Sequence, residues 1–239
     1  GASDAAIEAA LSTATCVSLN VEAPTRGAFR SLSERKDYDH DILRPMRTIA
    51  RLTERGAPYE RVGQTTQFVV GAAGEPDRDI VRATFGLYRR LGLSRVYFSA
   101  YQQGLGDPAL PGEDLRPERP RDSLMREHRL YQADWLMRKY GFEDEEIYFG
   151  ENGNLPLDAD PKQVWARRHP EYWPVDVNRA DRLELLRVPG IGETTADRIL
   201  KLRREGTLLR TLEQVGVRGR RLHAAESYLK FGRARVRMF

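Results

Sequence analysis

One cysteine, Cys16, stands alone in 239 residues. That scarcity excludes an intrachain disulfide framework and any site built from several thiolates. The four histidines, His40, His128, His169 and His223, are scattered with no metal-ligand spacing. His128, at an apolar position of a helical pattern, reads as a hydrogen-bonded core residue. No apolar run approaches the roughly 20 residues of a membrane-spanning helix, and no signal-peptide pattern is visible. The expectation is a cytoplasmic chain without a membrane partner. It starts Gly1-Ala2-Ser3 rather than with Met, which reads as removal of residues or as part of a longer protein.

Charge is plentiful but unevenly placed. The formal net charge is +4. From Arg179 to Phe239 there are 15 Lys and Arg against 7 Asp and Glu, whereas the preceding 178 residues hold 24 against 28. A basic segment of this kind is the electrostatic footprint of nucleic-acid binding. The bland alternative is a solvated, Arg-rich helical surface. Hydrophobic residues make up 40% of the chain, enough for a core, and the length suits one large or two ordinary domains.

The basic segment contains Leu185-Leu186-Arg187-Val188-Pro189-Gly190-Ile191-Gly192-Glu193-Thr194-Thr195-Ala196-Asp197-Arg198-Ile199-Leu200. An apolar helical pattern runs into Pro189, which has no N–H and disfavours helical geometry before it. Gly190 and Gly192 permit a tight, Cβ-free turn. The second helix then opens with N–H groups that lack intrahelical partners, a ready phosphate site. The order resembles a helix-hairpin-helix motif, which grips nucleic-acid backbone without reading sequence. On that reading Gly190, Ile191 and Gly192 offer backbone N–H groups, Thr194 and Thr195 hydroxyls, and Arg198 and Lys201 charge. Glu193 suits the helix dipole but must point away from a phosphate. The competing reading is a plain αα-hairpin used for packing or for a protein partner. Asn178 reads as the N-cap of the first helix, with Asp181 in its first turn. Residues 207–231 loosely repeat the unit: Thr211 caps a short helix, Val215-Gly216-Val217 resembles the turn, Arg218 replaces the second glycine, and a helix runs through Leu222, Ala225 and Leu229.

Upstream, Cys16 to Ala23 alternates apolar and polar residues, the period of a strand, which makes Cys16 a buried small apolar residue. A helix is expected from Asp39 to Arg55, a strand from Gln64 to Ala73, a helix from Asp77 or Arg78 to Leu91, and a strand from Arg95 to Tyr101. Strand and helix in alternation with short links predict parallel βαβ units. Residues 103–121 read as a long loop, Asp122 to Tyr140 as a helix whose Trp and Tyr pack, and 142–176 as irregular with a short helix near Lys162–Arg168.

Phe68-Val69-Val70-Gly71-Ala72-Ala73-Gly74-Glu75 resembles the fifth strand and turn of radical S-adenosylmethionine enzymes. Cys16–Ala23 is similar to their fourth strand, and Tyr97-Phe98-Ser99-Ala100-Tyr101 to their sixth. Glu22-Ala23-Pro24, Lys36-Asp37-Tyr38-Asp39 and Arg129-Leu130-Tyr131-Gln132-Ala133-Asp134-Trp135-Leu136 add to a resemblance with bacterial DNA modification/repair radical S-adenosylmethionine proteins, a subfamily associated with a uracil-DNA glycosylase. The resemblance implies an α/β fold: the C-terminal half of a (β/α) barrel over residues 1–102, a loop-rich helical extension over 103–175, and a helix-hairpin-helix domain over 176–239. It implies cofactor contacts from Ser18, Asn20, Glu22, Gly71, Gly74 and Glu75. It also implies S-adenosylmethionine and a [4Fe–4S] cluster in an intact parent, with DNA or RNA as substrate and a uracil-DNA glycosylase-like protein as a partner. Cys16 alone cannot ligate that cluster, so neither cofactor is expected on this chain by itself, and the missing first barrel half is a further expected partner. Three strands without that half are expected to leave one open sheet edge. The alternative is a non-enzymatic DNA-binding protein with a degenerate α/β half.

Overall fold

A computed structural model describes residues 2–104, 107–114 and 121–232. Parts of the expected 103–121 loop, 105–106 and 115–120, and the terminal 233–239 lie outside the described residues. The chain is mixed α/β and divides into two units. The first comprises Gly1–Met137 with Glu143–Asp158, the second Arg138–Phe142 with Ala159–Phe239.

The first unit opens with α1 (Asp4–Thr13), whose start is closed by Ser3 Oγ accepting the Ala6 N–H at 3.2 Å. Then come β1 (Cys16–Ser18), α2 (Arg26–Leu32) and a π-helical turn, Tyr38–Leu43, that runs into α3 (Arg44–Thr53). β2 (Gly63–Val70), α4 (Asp77–Leu91) and β3 (Arg95–Ala100) follow. A short helix α5 (Pro111–Asp114) and the long α6 (Asp122–Lys139), all but its last two residues, complete the series. The three strands form one parallel sheet in the order β1-β2-β3, with Cys16 opposite Gly63 and Phe68 opposite Phe98. The βαβ expectation therefore holds in direction and order. α4 ends where the sequence places its stop: Gly92 takes φ +62° and donates its N–H to the Tyr88 carbonyl at 3.2 Å, a left-handed cap that glycine adopts without steric cost. Ile7 and Leu11 pack on Ile49 beside Val17, Leu52, Tyr59 and Val62.

The expected strand 16–23 is broken. Its regular pairing ends at Ser18. The fully buried Thr66 hydroxyl then donates to the Leu19 carbonyl at 2.8 Å and accepts the Val21 N–H at 3.0 Å. The chain rejoins at Glu22, bridged to Phe68, with φ +60°. A left-handed residue cannot continue a pleated ladder. One threonine thus supplies the hydrogen bonds that the interrupted strand loses.

The outer edge of β3 is closed by side chains rather than by a fourth strand. The Val96 N–H donates to Tyr88 Oη at 2.9 Å, and the Ala100 N–H to Glu127 Oε2 at 2.8 Å. Between them Tyr131 Oη accepts the Phe98 N–H and donates to the Phe98 carbonyl, both at 3.1 Å. Tyr131 also sets its ring edge-on to Phe98 at 5.1 Å. No described strand pairs with the other side of β1.

The second unit holds α7 (Pro161–Arg168), β4 (Val175–Asp176), α8 (Arg182–Arg187), α9 (Glu193–Arg204), α10 (Arg220–Glu226) and β5 (Leu229–Lys230). α7 starts at the expected Asp160-Pro161 step, with Asp160 Oδ1 accepting the Lys162 N–H at 2.9 Å. Trp165 is buried at the centre of Phe142, His169, Tyr172 and Trp173. β4 pairs in parallel with β5, joining the entry of the hairpin module to its exit.

Four expectations for single residues need correction. Cys16 is exposed, because it opens an edge strand. His128 is exposed, since it lies off the buried stripe of Leu130, Ala133, Asp134 and Leu136. Trp135, expected to pack, is 39% exposed on that same helix, though Tyr131 does pack. Asn178 is not the cap of α8. Asp181 is, in a reciprocal box with Glu184. Asn178 instead ties three segments: its side chain donates to the Leu209 and Gly232 carbonyls and accepts the Leu209 N–H. The last expected helix stops at Glu226, and Leu229 lies in β5.

Candidate functional site

The first hairpin consists of α8, the turn Val188–Gly192 and α9. Val188 and Pro189 are buried, and Leu185, Leu186, Ile191, Ala196 and Ile199 seal the helices together. Gly190 has φ +84°, and a Cβ there would stand 2.5 Å from the Arg221 carbonyl oxygen. The first turn therefore lies directly on the backbone of α10, from the second repeat. Gly192 differs. It is the extended N-cap of α9, at φ −112°, and a Cβ there would meet only Tyr140 Oη at 3.4 Å.

The first hydrogen bond of α9 runs from the Ala196 N–H to the Gly192 carbonyl at 2.9 Å. The N–H groups of Gly192, Glu193, Thr194 and Thr195 therefore face out of the helix end. Ile191, named from sequence as a backbone donor, is not at that surface. It is 1% exposed, its N–H donates to the Val188 carbonyl at 3.1 Å, and its carbonyl accepts from Lys162 Nζ at 2.6 Å. Thr194 is exposed and Thr195 half-buried. Glu193 is drawn aside by Arg182, 3.4 Å from its carboxylate, and Arg182 also binds Asp197 at 2.9 Å. Lys201 is exposed, with Nζ 3.9 Å from Glu205. Arg198 is not wholly given to solvent, because Nη1 donates to the Val215 carbonyl at 3.3 Å and fastens the second turn. That turn has Gly216 at φ +79° and Gly219 at φ +57°, with Arg218, Arg220 and Arg221 exposed around it.

Sequence reasoning missed Lys162 and Tyr140, which precede the motif and lie behind its turn. Lys162 is 7% exposed and its Nζ sits 4.7 Å from the centre of the Tyr140 ring. Burial pushes its ammonium down to about 7, against the pull of Asp160. The only signal in the sequence is the Asp160-Pro161 helix start, which says nothing of where the next side chain points.

The residues named for a cofactor lie in the first unit, at the carboxyl ends of β1 and β2. Ser18 Oγ and Asn20 Oδ1 are 3.3 Å apart, and Asn20 hydrogen-bonds Glu22. Burial raises the Glu22 carboxyl, opposed by Asn20 and the charge of Lys36. Gly71 has φ +90° and Gly74 φ +71°. Glu75 folds back on its own turn, accepting the Gly71 N–H at 2.5 Å and the Ala73 N–H at 3.1 Å. Next to it Asp77, fully buried, accepts from Arg126 Nε at 2.6 Å and from the Leu155 N–H at 2.9 Å. Desolvation raises the carboxyls of both Glu75 and Asp77, and the Arg126 charge works against it. A cavity of about 420 Å³ opens here, lined by Val70, Gly71, Asp77, Tyr101, Arg126 and Asn154 among others, but not by Ser18, Asn20 or Glu22. Among the described residues no group of three or more His, Cys, Asp or Glu is placed to hold a metal. Nor is any helix among them long and apolar enough to cross a membrane.

Residues 172–217 match the family model described as a helix-hairpin-helix motif. The matched segment runs from just before β4, through the first hairpin, to the turn of the second, and it suggests nucleic-acid binding. No curated protein and no solved structure matches the chain.

Proposed function

We propose that the second unit binds nucleic-acid backbone without reading sequence, with the open end of α9 as its phosphate grip. The observation that carries this reading is the helix-hairpin-helix match over 172–217, coinciding with four outward N–H groups at Gly192–Thr195. An anion there meets the donors of the helix end and its positive dipole. Thr194 adds a hydroxyl, while Lys201, two turns on, adds charge on the same helix. Gly190 and Ile191 shape the turn from behind. DNA is the substrate tested first and RNA the second, since phosphate contacts position a duplex without naming its bases.

Fluorescence anisotropy of the full chain with a labelled 20-base-pair duplex tests this, from about 50 to 200 mM salt. Log affinity is expected to fall linearly with log salt, by about 0.9 for each phosphate neutralised on DNA. Lys201→Ala is expected to lower that slope by roughly one. No binding at low salt, or a salt-independent affinity, overturns the reading in favour of a protein-interaction module.

We also propose that the first unit is the end of a radical S-adenosylmethionine barrel in a nucleic-acid-modifying parent, with a uracil-DNA glycosylase-like partner. Supporting it are the parallel order of three strands and the Gly71-x-x-Gly74-Glu75 turn at the carboxyl end of β2. The residues present do not fit the iron–sulfur cluster, because one exposed cysteine cannot supply its thiolates. No radical step is therefore assigned to this chain. Three closely spaced cysteines encoded upstream would support the reading. An upstream sequence without them favours the rival, a non-enzymatic DNA-binding protein.

A further inference from the structure

We infer that Lys162 is a positioning residue for the nucleic-acid grip: by holding the Ile191 carbonyl inward, it turns the Gly192 N–H outward toward phosphate. The inference rests on the hairpin reading above and adds a residue outside the matched segment.

The argument starts from the peptide plane. In a trans peptide the carbonyl of one residue and the N–H of the next point in opposite directions. The Ile191–Gly192 carbonyl points at Lys162 Nζ, 2.6 Å away and buried. The Gly192 N–H on that same plane must point the other way, out of the helix end. Nothing in the α9 helix itself fixes this plane, since Gly192 is its extended N-cap and has no side chain to hold it. Among the described residues no acceptor engages the Gly192 N–H, while the carbonyl opposite is held.

The surroundings keep the ammonium there. Tyr140 places its ring 4.7 Å from Nζ and its hydroxyl next to Gly192. Asp160, at the cap of α7, favours the charged form of Lys162. Of the other charges on the hairpin, Glu193 is paired with Arg182, and Arg187 is stacked on Phe142 and Trp165. In its protonated form Lys162 also adds to the positive end of the α9 dipole. Its low proton affinity fits a group that holds its proton more firmly once a phosphate arrives in front of it.

The test uses the full chain and two readouts. In ¹H–¹⁵N spectra without nucleic acid, Lys162→Met is expected to move the Gly192 amide resonance more than other amides of α9. In the anisotropy assay with the same duplex, the variant is expected to lose roughly tenfold in affinity at pH 6.5, the worth of one hydrogen bond to a charged group. Lys162→Arg, which restores donor and charge, is expected to recover part of it. A folded Lys162→Met that binds like the parent and leaves Gly192 unmoved overturns the inference. Should Lys162→Met fail to fold, Lys162→Gln takes its place: its shorter neutral side chain is expected to move the Gly192 amide and weaken binding in the same sense, and a folded variant that does neither overturns the proposal. A parent that binds no duplex at low salt refutes the hairpin reading instead, and leaves the spectral test of Lys162 standing.

Discussion

Gly190 and Gly192 share one turn and are glycine for different reasons. At Gly190 the backbone is left-handed and the Arg221 carbonyl stands where a Cβ would go. Gly190→Ala should therefore destabilise the second unit by more than about 1 kcal/mol, through strain and overpacking together. At Gly192 neither objection applies, and Gly192→Ala should cost under about 1 kcal/mol. Urea denaturation of both variants checks the contrast, and only Gly192 variants can then be read cleanly for binding. Lys162 makes a second prediction at this scale. Its folded ammonium loses its proton near pH 7, whereas the unfolded one holds it to 10.5. Below pH 7 both states are charged and the burial cost is felt in full. As pH rises from 7 toward 10.5 the folded state alone releases its proton, so stability must rise, by about 2 kcal/mol between pH 7 and 9. Urea midpoints across that range should climb for the parent relative to Lys162→Met, and parallel curves would refute the shift. A third concerns Arg126, whose loss strands the fully buried Asp77. Arg126→Met should cost on the order of 3–5 kcal/mol in chemical denaturation. Under 1 kcal/mol would mean that Asp77 finds another partner.

Elements were legible where their signals are local. The start of α7 follows from Asp160-Pro161, the stop of α4 from Gly92, and the hairpin from Pro189-Gly190-Ile191-Gly192, because caps and breakers act on their own neighbours. What escaped depends on distant partners. The break in the first strand needs Thr66, forty-odd residues on, to supply its hydrogen bonds. Asn178 looked like a cap by position, yet its partners Leu209 and Gly232 are fixed only by the fold. The hairpin was legible as a segment, but the inward engagement of Ile191 was not, and Lys162 behind it carries no local signal. The β3 edge belongs here too. Tyr131→Phe removes the hydroxyl that serves both the N–H and the carbonyl of Phe98. The expected cost is about 1–3 kcal/mol, since two backbone groups lose their partner. Hydrogen exchange at the Phe98 amide should accelerate selectively, and unchanged protection there would show that the edge is held by other means.

Along the whole chain, a basic C-terminal segment follows a mildly acidic remainder in sequence. The salt slope of binding should therefore count the phosphates of one small footprint rather than of the full surface. The sealed margin of β3 has a separate consequence, for how copies of this chain can add to one another. A sheet with two exposed margins can grow from both ends, copy upon copy, into a fibre. Here Tyr88, Tyr131 and Glu127 stopper one end of the three-stranded sheet, and among the described residues β1 is the margin of that sheet left without a partner strand. If two copies join through β1, each presents its stoppered end outward and addition halts at a closed pair. Association at rising concentration should thus stop at a dimer in sedimentation, and Ser18→Lys should return it to monomer. The same chemistry that closes a margin sets a limit on stoichiometry.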